Sequence, residues 1–176
     1  MDQLGQMIGV VRGASNTEIQ DLFGKLVDHW RGFRLAGVVA ESHGLPNRYC
    51  QAGYLRSLAT GSRFSIFNDP GPGVADCHLD GLGAAAAAVA VERDIDDGCE
   101  VVVLNKFGKL EIAGEGLATA FRAAMAAHLP LLTSVSPAHD GAWRRFAGPA
   151  FAILPVDLDA IDGWLRAVIQ TGDASC

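Results

Sequence analysis

A chain of 176 residues, 49% hydrophobic and 19% charged, is long enough to bury a substantial core as one domain and too apolar to stay disordered. Its formal net charge of −6 argues against the basic face that a nucleic acid requires. The longest apolar run, residues 82–91, is mostly alanine and too short to span a bilayer.

Neither nucleic-acid binding nor membrane insertion is therefore expected. Cys50, Cys77, Cys99 and Cys176 form no C-x-x-C pair and none of the common zinc spacings. With no basic-then-apolar start, they read as reduced thiols of a cytoplasmic protein.

In chain order, residues 6–11 read as a first buried strand. Ser15 or Asn16 then caps a helix whose apolar positions Ile19, Leu22, Phe23, Leu26 and Trp30 follow a 3.6-residue period. Residues 34–40 form a second strand. Residues 51–58 and 63–67 alternate as a half-exposed antiparallel hairpin, and the two prolines and two glycines of residues 68–73 demand a loop. An alanine-rich helix spans about 82–94. The stretch 101–105 opens with three valines and a leucine, the pattern of a strand buried on both faces in a parallel sheet. A loop leads to a helix over 117–128, a strand over 130–135, a short helix over 142–146, a strand over 151–154 and a closing helix over 157–170. Strands alternating with helices predict an α/β fold: three layers, α/β/α, with a mainly parallel sheet and a β-hairpin insertion.

In such sheets, ligands sit beyond the carboxyl ends of the strands. Three polar loops follow predicted strands. The first is Arg12-Gly13-Ala14-Ser15-Asn16-Thr17, which reads either as a helix-terminus anion seat or as a tight turn with a capping side chain. Gly13 and Thr17 are what it shares with the phosphate loop G-x-x-x-x-G-K-[ST]; the second glycine and the lysine are missing. The second is Asn105-Lys106-Phe107-Gly108-Lys109-Leu110-Glu111. Asn105 stands where hydrolytic NTPases carry a magnesium-holding acid. Lys106 and Lys109 bring positive charge, and Glu111 meets either a ligand hydroxyl or Lys109. The third loop carries Gly71, Gly73, Cys77, His78 and Asp80. Its glycines permit close approach to a ligand, and Asp80 caps the alanine helix or touches substrate. Cys77 beside His78 has the donors zinc or copper prefer, but adjacent residues rarely hold one metal and no other histidine is suitably spaced, so no metal site is expected. Trp143 and Phe146 pack inward, with Arg144 and Arg145 toward solvent.

The chain resembles a bacterial family of uncharacterised P-loop-NTPase-like proteins often encoded beside molybdate ABC-transport genes. The resemblance rests on Gly71-Pro72-Gly73 with Cys77-x-Leu79-Asp80, on Val103-x-Asn105-Lys106-Phe107-Gly108-Lys109-x-Glu111, and on Trp143-x-x-Phe146-Ala147-Gly148. More distantly, the Asn105 element is similar to the Asp-Glu-x-Gly-x-x-Glu stretch of the THEP-type nucleoside-triphosphatases, with Asn105 and Lys106 in place of the two acids. The resemblance implies a P-loop-like fold and a role in oxyanion handling or molybdenum-cofactor supply. The leading expectation is a degenerate NTPase-like protein that binds a nucleotide or a tetrahedral oxyanion of the phosphate or molybdate type. One alternative is an active nucleoside-triphosphatase, with Lys106 or Arg12 replacing the usual lysine and Asp69 or Asp80 holding magnesium. Another is a non-catalytic scaffold that pairs with itself through the hairpin edge, or with a transport or cofactor-assembly partner.

Overall fold

A computed structural model describes residues 7–48, 50–69, 71–74 and 79–173. Seven strands form one sheet: β1 (Ile8–Val11), β2 (Leu35–Ser42), β3 (Ala52–Ser57), β4 (Arg63–Ser65), β5 (Val101–Leu104), β6 (Leu131–Ser134) and β7 (Ala152–Leu154). Their spatial order is β4-β3-β2-β5-β6-β1-β7. Every pair from β2 to β7 is parallel, while β3 and β4 add an antiparallel hairpin at one edge. The expected architecture is thus the observed one.

The helices are α1 (Asn16–His29), α2 (Gly81–Asp97), α3 (Lys109–Ile112), α4 (Ala118–Ala126), α5 (Asp140–Ala147) and α6 (Leu158–Asp173). Successive strand residues point to opposite faces, so one sheet supports two cores. Val11, Val39, Val101, Val103 and Leu132 meet the apolar stripes of α1 and α6. Val10, Val38, Val102, Leu104 and Leu131 meet α2, α4 and α5. Trp30, fully buried, donates its Nε1–H to Asp162 at 2.9 Å and so ties the end of α1 to α6.

Alanine in α2 matters for distance. Ala84, Ala87, Ala88 and Val91 are buried, and their small side chains let the helix lie so low that a Cβ on Gly83 would fall 1.8 Å from the Ser65 carbonyl oxygen. On the same face, Phe107, Phe121, Trp143 and Phe146 form an aromatic cluster, joined by Phe151 edge-on to Trp143.

Several sequence expectations are corrected. Residues 105–116 are not one loop: Lys109–Ile112 forms a single helical turn, too short to leave a periodic signature. A 3₁₀ turn, Pro137–His139, leads into α5, which begins at Asp140. Arg144 is exposed, as expected, and its Nε also donates to Asp140 at 2.8 Å while its guanidinium lies 5.0 Å from the Phe151 ring centre. Cys50 is disulfide-bonded rather than reduced; pairing depends on which segments the fold brings together, which spacing along a chain does not show. Cys99 is free, and burial pushes its thiol pKa up.

The loop before α2 has its own anchor. Arg48 donates from Nε to Asp69 Oδ1 at 2.6 Å and from Nη2 to Oδ2 at 2.9 Å, and the Gly71 N–H adds a third bond to the carboxylate at 3.0 Å. These contacts, the Arg48 hydrogen bonds first, hold the Asp69 pKa down to about 2. A depressed folded-state pKa contributes stability above the unfolded value, and that contribution fades as pH falls through the folded one. Thermal melts between about pH 5 and pH 2 are expected to show a steeper loss for the native chain than for Asp69→Asn, which lacks this titration. Parallel curves would mean that the anchor adds nothing.

Candidate functional site

The carboxyl ends of β1, β2, β5 and β6 open into a cleft made of two adjoining cavities. The outer, about 630 Å³, is lined among others by Ala14, Asn16, Thr17, Glu41, Ser134 and Ser136. The inner, about 210 Å³, is lined by Asn105, Lys109 and Glu111 together with residues of the hairpin, α2 and α3. Asn16, Gln20, Lys106 and His139 border both. A cleft at this edge, within the usual size range for small-molecule sites, is where an open α/β sheet takes ligands.

The backbone of Asn105 joins its walls. Its carbonyl accepts one hydrogen bond from Gln20 Nε2 at 3.0 Å and one from Ser134 Oγ at 2.9 Å, so α1, β5 and β6 meet at one oxygen. The next ladder contact, Phe107 N–H to the Ser134 carbonyl at 2.9 Å, extends the sheet past β5 and holds Lys106 between two fixed residues. Phe107 is 1% exposed and inserts into the aromatic cluster. The local order is therefore amide, cation, core anchor.

Glu111 shapes the site from beneath. It is 8% exposed. One carboxylate oxygen accepts the Gly108 N–H at 3.0 Å and the other the Leu117 N–H at 3.2 Å. The carboxylate thereby caps α3 and fixes the entry to α4. Both oxygens are spoken for by the chain itself, so Glu111 builds the wall of the inner cavity.

The first turn of α1 differs from a phosphate loop in a further respect beyond its missing second glycine and lysine. Ser15 Oγ accepts the Glu18 N–H at 3.2 Å, while the Glu18 carboxylate accepts the Ser15 N–H at 2.9 Å. This capping box satisfies two of the helix's orphan donors and parks a carboxylate at its positive end. Those bonds, the backbone one first, hold the Glu18 pKa below the usual carboxylate range.

Ala14, Asn16, Thr17, Asn105, Lys106, Lys109 and Glu111 line the cleft. Neither cavity is lined by Arg12, Gly13, Ser15, Gly71, Gly73 or Asp80. Arg12 is drawn away by Asp140 and lies 5.8 Å from the Phe151 ring centre. Asp80 caps α2, accepting the Leu82 N–H at 2.9 Å. Cys77 and His78 lie outside the described residues. Gln20, Ser136 and His139 were not among the expected site residues. His139 Nδ1 sits 3.2 Å from Ser136 Oγ, on the turn after β6, and the sequence signal available was its place beyond a strand's carboxyl end. Among the described residues, no three His, Cys, Asp or Glu side chains group as a metal site would need, and no helix is long and apolar enough to cross a membrane.

Fold and cleft together define an α/β protein whose mainly parallel sheet opens on a partly basic, partly apolar cleft. The chain belongs to the family described as "Protein of unknown function (DUF2478)", whose model matches residues 8–164. It is similar to the "Molybdenum import ATP-binding protein ModC 2" of Bradyrhizobium diazoefficiens, with 36% identity over 136 residues. That alignment covers 77% of this chain and 15% of the relative, so the chain spans a small part of that protein's length. No solved structure matches the chain.

Proposed function

We propose that this chain is a P-loop-NTPase-like unit that binds a nucleotide or a tetrahedral oxyanion in its carboxyl-edge cleft without hydrolysing it. The observation that carries the reading is that Lys106 borders the same outer cavity as Asn16 and Thr17 of the α1 turn. An ammonium group, amide side chains and hydroxyls then surround one volume. Cleavage has less support. Asn105 replaces the acid, and the two acids considered for magnesium are engaged elsewhere, Asp69 by Arg48 and Asp80 at the start of α2. These residues do not fit a magnesium–nucleotide centre, and no step is derived through one.

The relative's printed name concerns molybdenum import and ATP binding. Because the alignment covers 15% of it and this chain has no phosphate-loop lysine, the shared stretch reads as an accessory unit. In that reading the chain serves molybdate uptake or molybdenum-cofactor supply.

Calorimetric titration with ATP, inorganic phosphate and molybdate tests the proposal. At least one is expected to bind, and Lys106→Ala is expected to weaken it about tenfold, or about 1.4 kcal/mol. Absence of binding by all three at millimolar concentration would overturn it. Magnesium-dependent phosphate release from ATP that is lost in Lys106→Ala would replace binding with catalysis.

A further inference from the structure

One stretch of this acidic chain is nearly free of carboxylates. Between Gly116 and Val156 the sequence holds a single acidic residue, Asp140, and no lysine, although the whole chain carries 20 acidic residues. The same stretch contains Arg122, Arg144 and Arg145 and folds into α4, β6, α5 and β7. All three arginines are exposed, on two helices that meet through Phe121 and Phe146. Arg12 joins them from the end of β1 by bonding Asp140. Four guanidinium groups therefore stand against one carboxylate, in a chain whose formal net charge is −6.

Three of these groups rest on rings. The Arg122 guanidinium lies 5.1 Å from the Phe146 ring centre, and those of Arg144 and Arg12 lie 5.0 Å and 5.8 Å from that of Phe151. A guanidinium held against a ring keeps its planar fork of N–H groups, so less freedom is lost when a carboxylate arrives. Asp140 takes one bond from Arg12 Nη2 and one from Arg144 Nε, which leaves the Nη groups of Arg144 outside that pair. Arg122 and Arg145 are in no ion pair among the described residues. Ile153 adds an apolar point beside them. It lies in register with Val10, whose side chain enters the core on the α5 side, and it is 57% exposed on the edge strand.

Arginine and aromatic side chains, with few lysines or carboxylates, are the composition of an interface core. The charge of such a face attracts negative partners and repels positive ones. A second copy placed by a two-fold axis would set arginine against arginine, and the acidic whole disfavours nucleic acid. We infer that the face made by α4, α5 and the edge of β7 docks an acidic segment of another protein. Carboxylates of that segment meet Arg122, Arg144 and Arg145, and an apolar side chain covers Ile153. None of these four residues lines either cavity, so this surface and the cleft are separate.

Fluorescence anisotropy tests it with the full chain and three labelled probes: a short peptide of glutamate and leucine, the same peptide with glutamine for glutamate, and a single-stranded RNA of equal charge. The glutamate peptide is expected to bind about tenfold or more tightly than either of the others. Arg122→Glu combined with Arg145→Glu is expected to weaken it about tenfold, with thermal unfolding checked for each variant. The matched pair Lys25→Glu and Arg31→Glu, on the opposite helical layer, is expected to change it less than about twofold. Should the first pair fail to fold, Arg122→Gln with Arg145→Gln is expected to show the same selective loss. Peptide binding that survives the α4 and α5 changes, or that falls equally with the α1 pair, would overturn the inference. RNA bound as tightly as the peptide would do so too, as would self-association in sedimentation that the arginine changes abolish. No peptide binding at millimolar concentration would also overturn it, and would leave the cleft reading untouched.

Discussion

Gly37→Ala is expected to destabilise the protein by at least about 4 kcal/mol, an exceptional loss for a single methyl group. Gly37 lies in the middle of β2, opposite Val103 of β5. A Cβ built there would stand 1.9 Å from the Val103 carbonyl oxygen, 2.7 Å from its carbonyl carbon and 2.8 Å from its nitrogen. All three are backbone atoms, so no rotamer change relieves the clash. The backbone angle φ of +112° adds a second penalty, because side chains rarely adopt it. Relief would require β2 and β5 to part, breaking the ladder that runs from Leu35–Val101 to Val38–Leu104 and with it the floor of the cleft. Urea unfolding followed by circular dichroism measures the loss. A native midpoint in the alanine variant would show that the strands do not approach this closely.

Trp143→Ala ranks second, with an expected loss of about 3–5 kcal/mol. The indole is fully buried. It meets Phe107 edge-on with ring centres 5.1 Å apart, and Phe121 and Phe151 at 5.9 Å each. Truncation would leave a cavity that surrounding rings fill only in part. Trp143 Nε1 has no hydrogen-bond partner among the described residues. Trp143→Phe discards that buried donor together with part of the ring, and the two changes oppose each other. The phenylalanine variant is therefore expected to lose under about 2 kcal/mol. Equal losses for the two variants would mean that the indole nitrogen carries no penalty. Ligand affinity is expected to suffer with stability in the alanine variant, because Phe107 is the anchor next to Lys106 and α5 begins one residue after His139.

The sheet was legible wherever burial on both faces left an uninterrupted apolar run, as in Val101–Leu104. The helices were legible wherever several turns repeated an apolar period, as in α1. Ser15 as a cap followed from the chemistry of hydroxyls and free N–H groups. What stayed hidden depends on contacts between distant segments. Gly37 looks like any strand glycine until β5 is set beside it. Gln20 looks like a solvated helix position until the Asn105 carbonyl arrives, and His139 has no partner at metal-ligand spacing because its neighbour in the site is Ser136. Arg12 was misjudged for a related reason: its charge is genuine, but Asp140, 128 residues away, claims it. Glu111 left two roles open in sequence, ligand or lysine partner, and the fold assigned it to backbone N–H groups.

The capping box of α1 has an electrical consequence. With Glu18 already placed at the positive end of the helix, main-chain dipoles there have little attraction to spare for a guest. Attraction of an anionic guest then falls mainly to the lysine side chains of the rim, whose reach is limited by mobile ions to a Debye length of about 8 Å at physiological ionic strength. Retention in this cleft should accordingly weaken as buffer salt rises, more steeply than in a phosphate seat built from backbone amides.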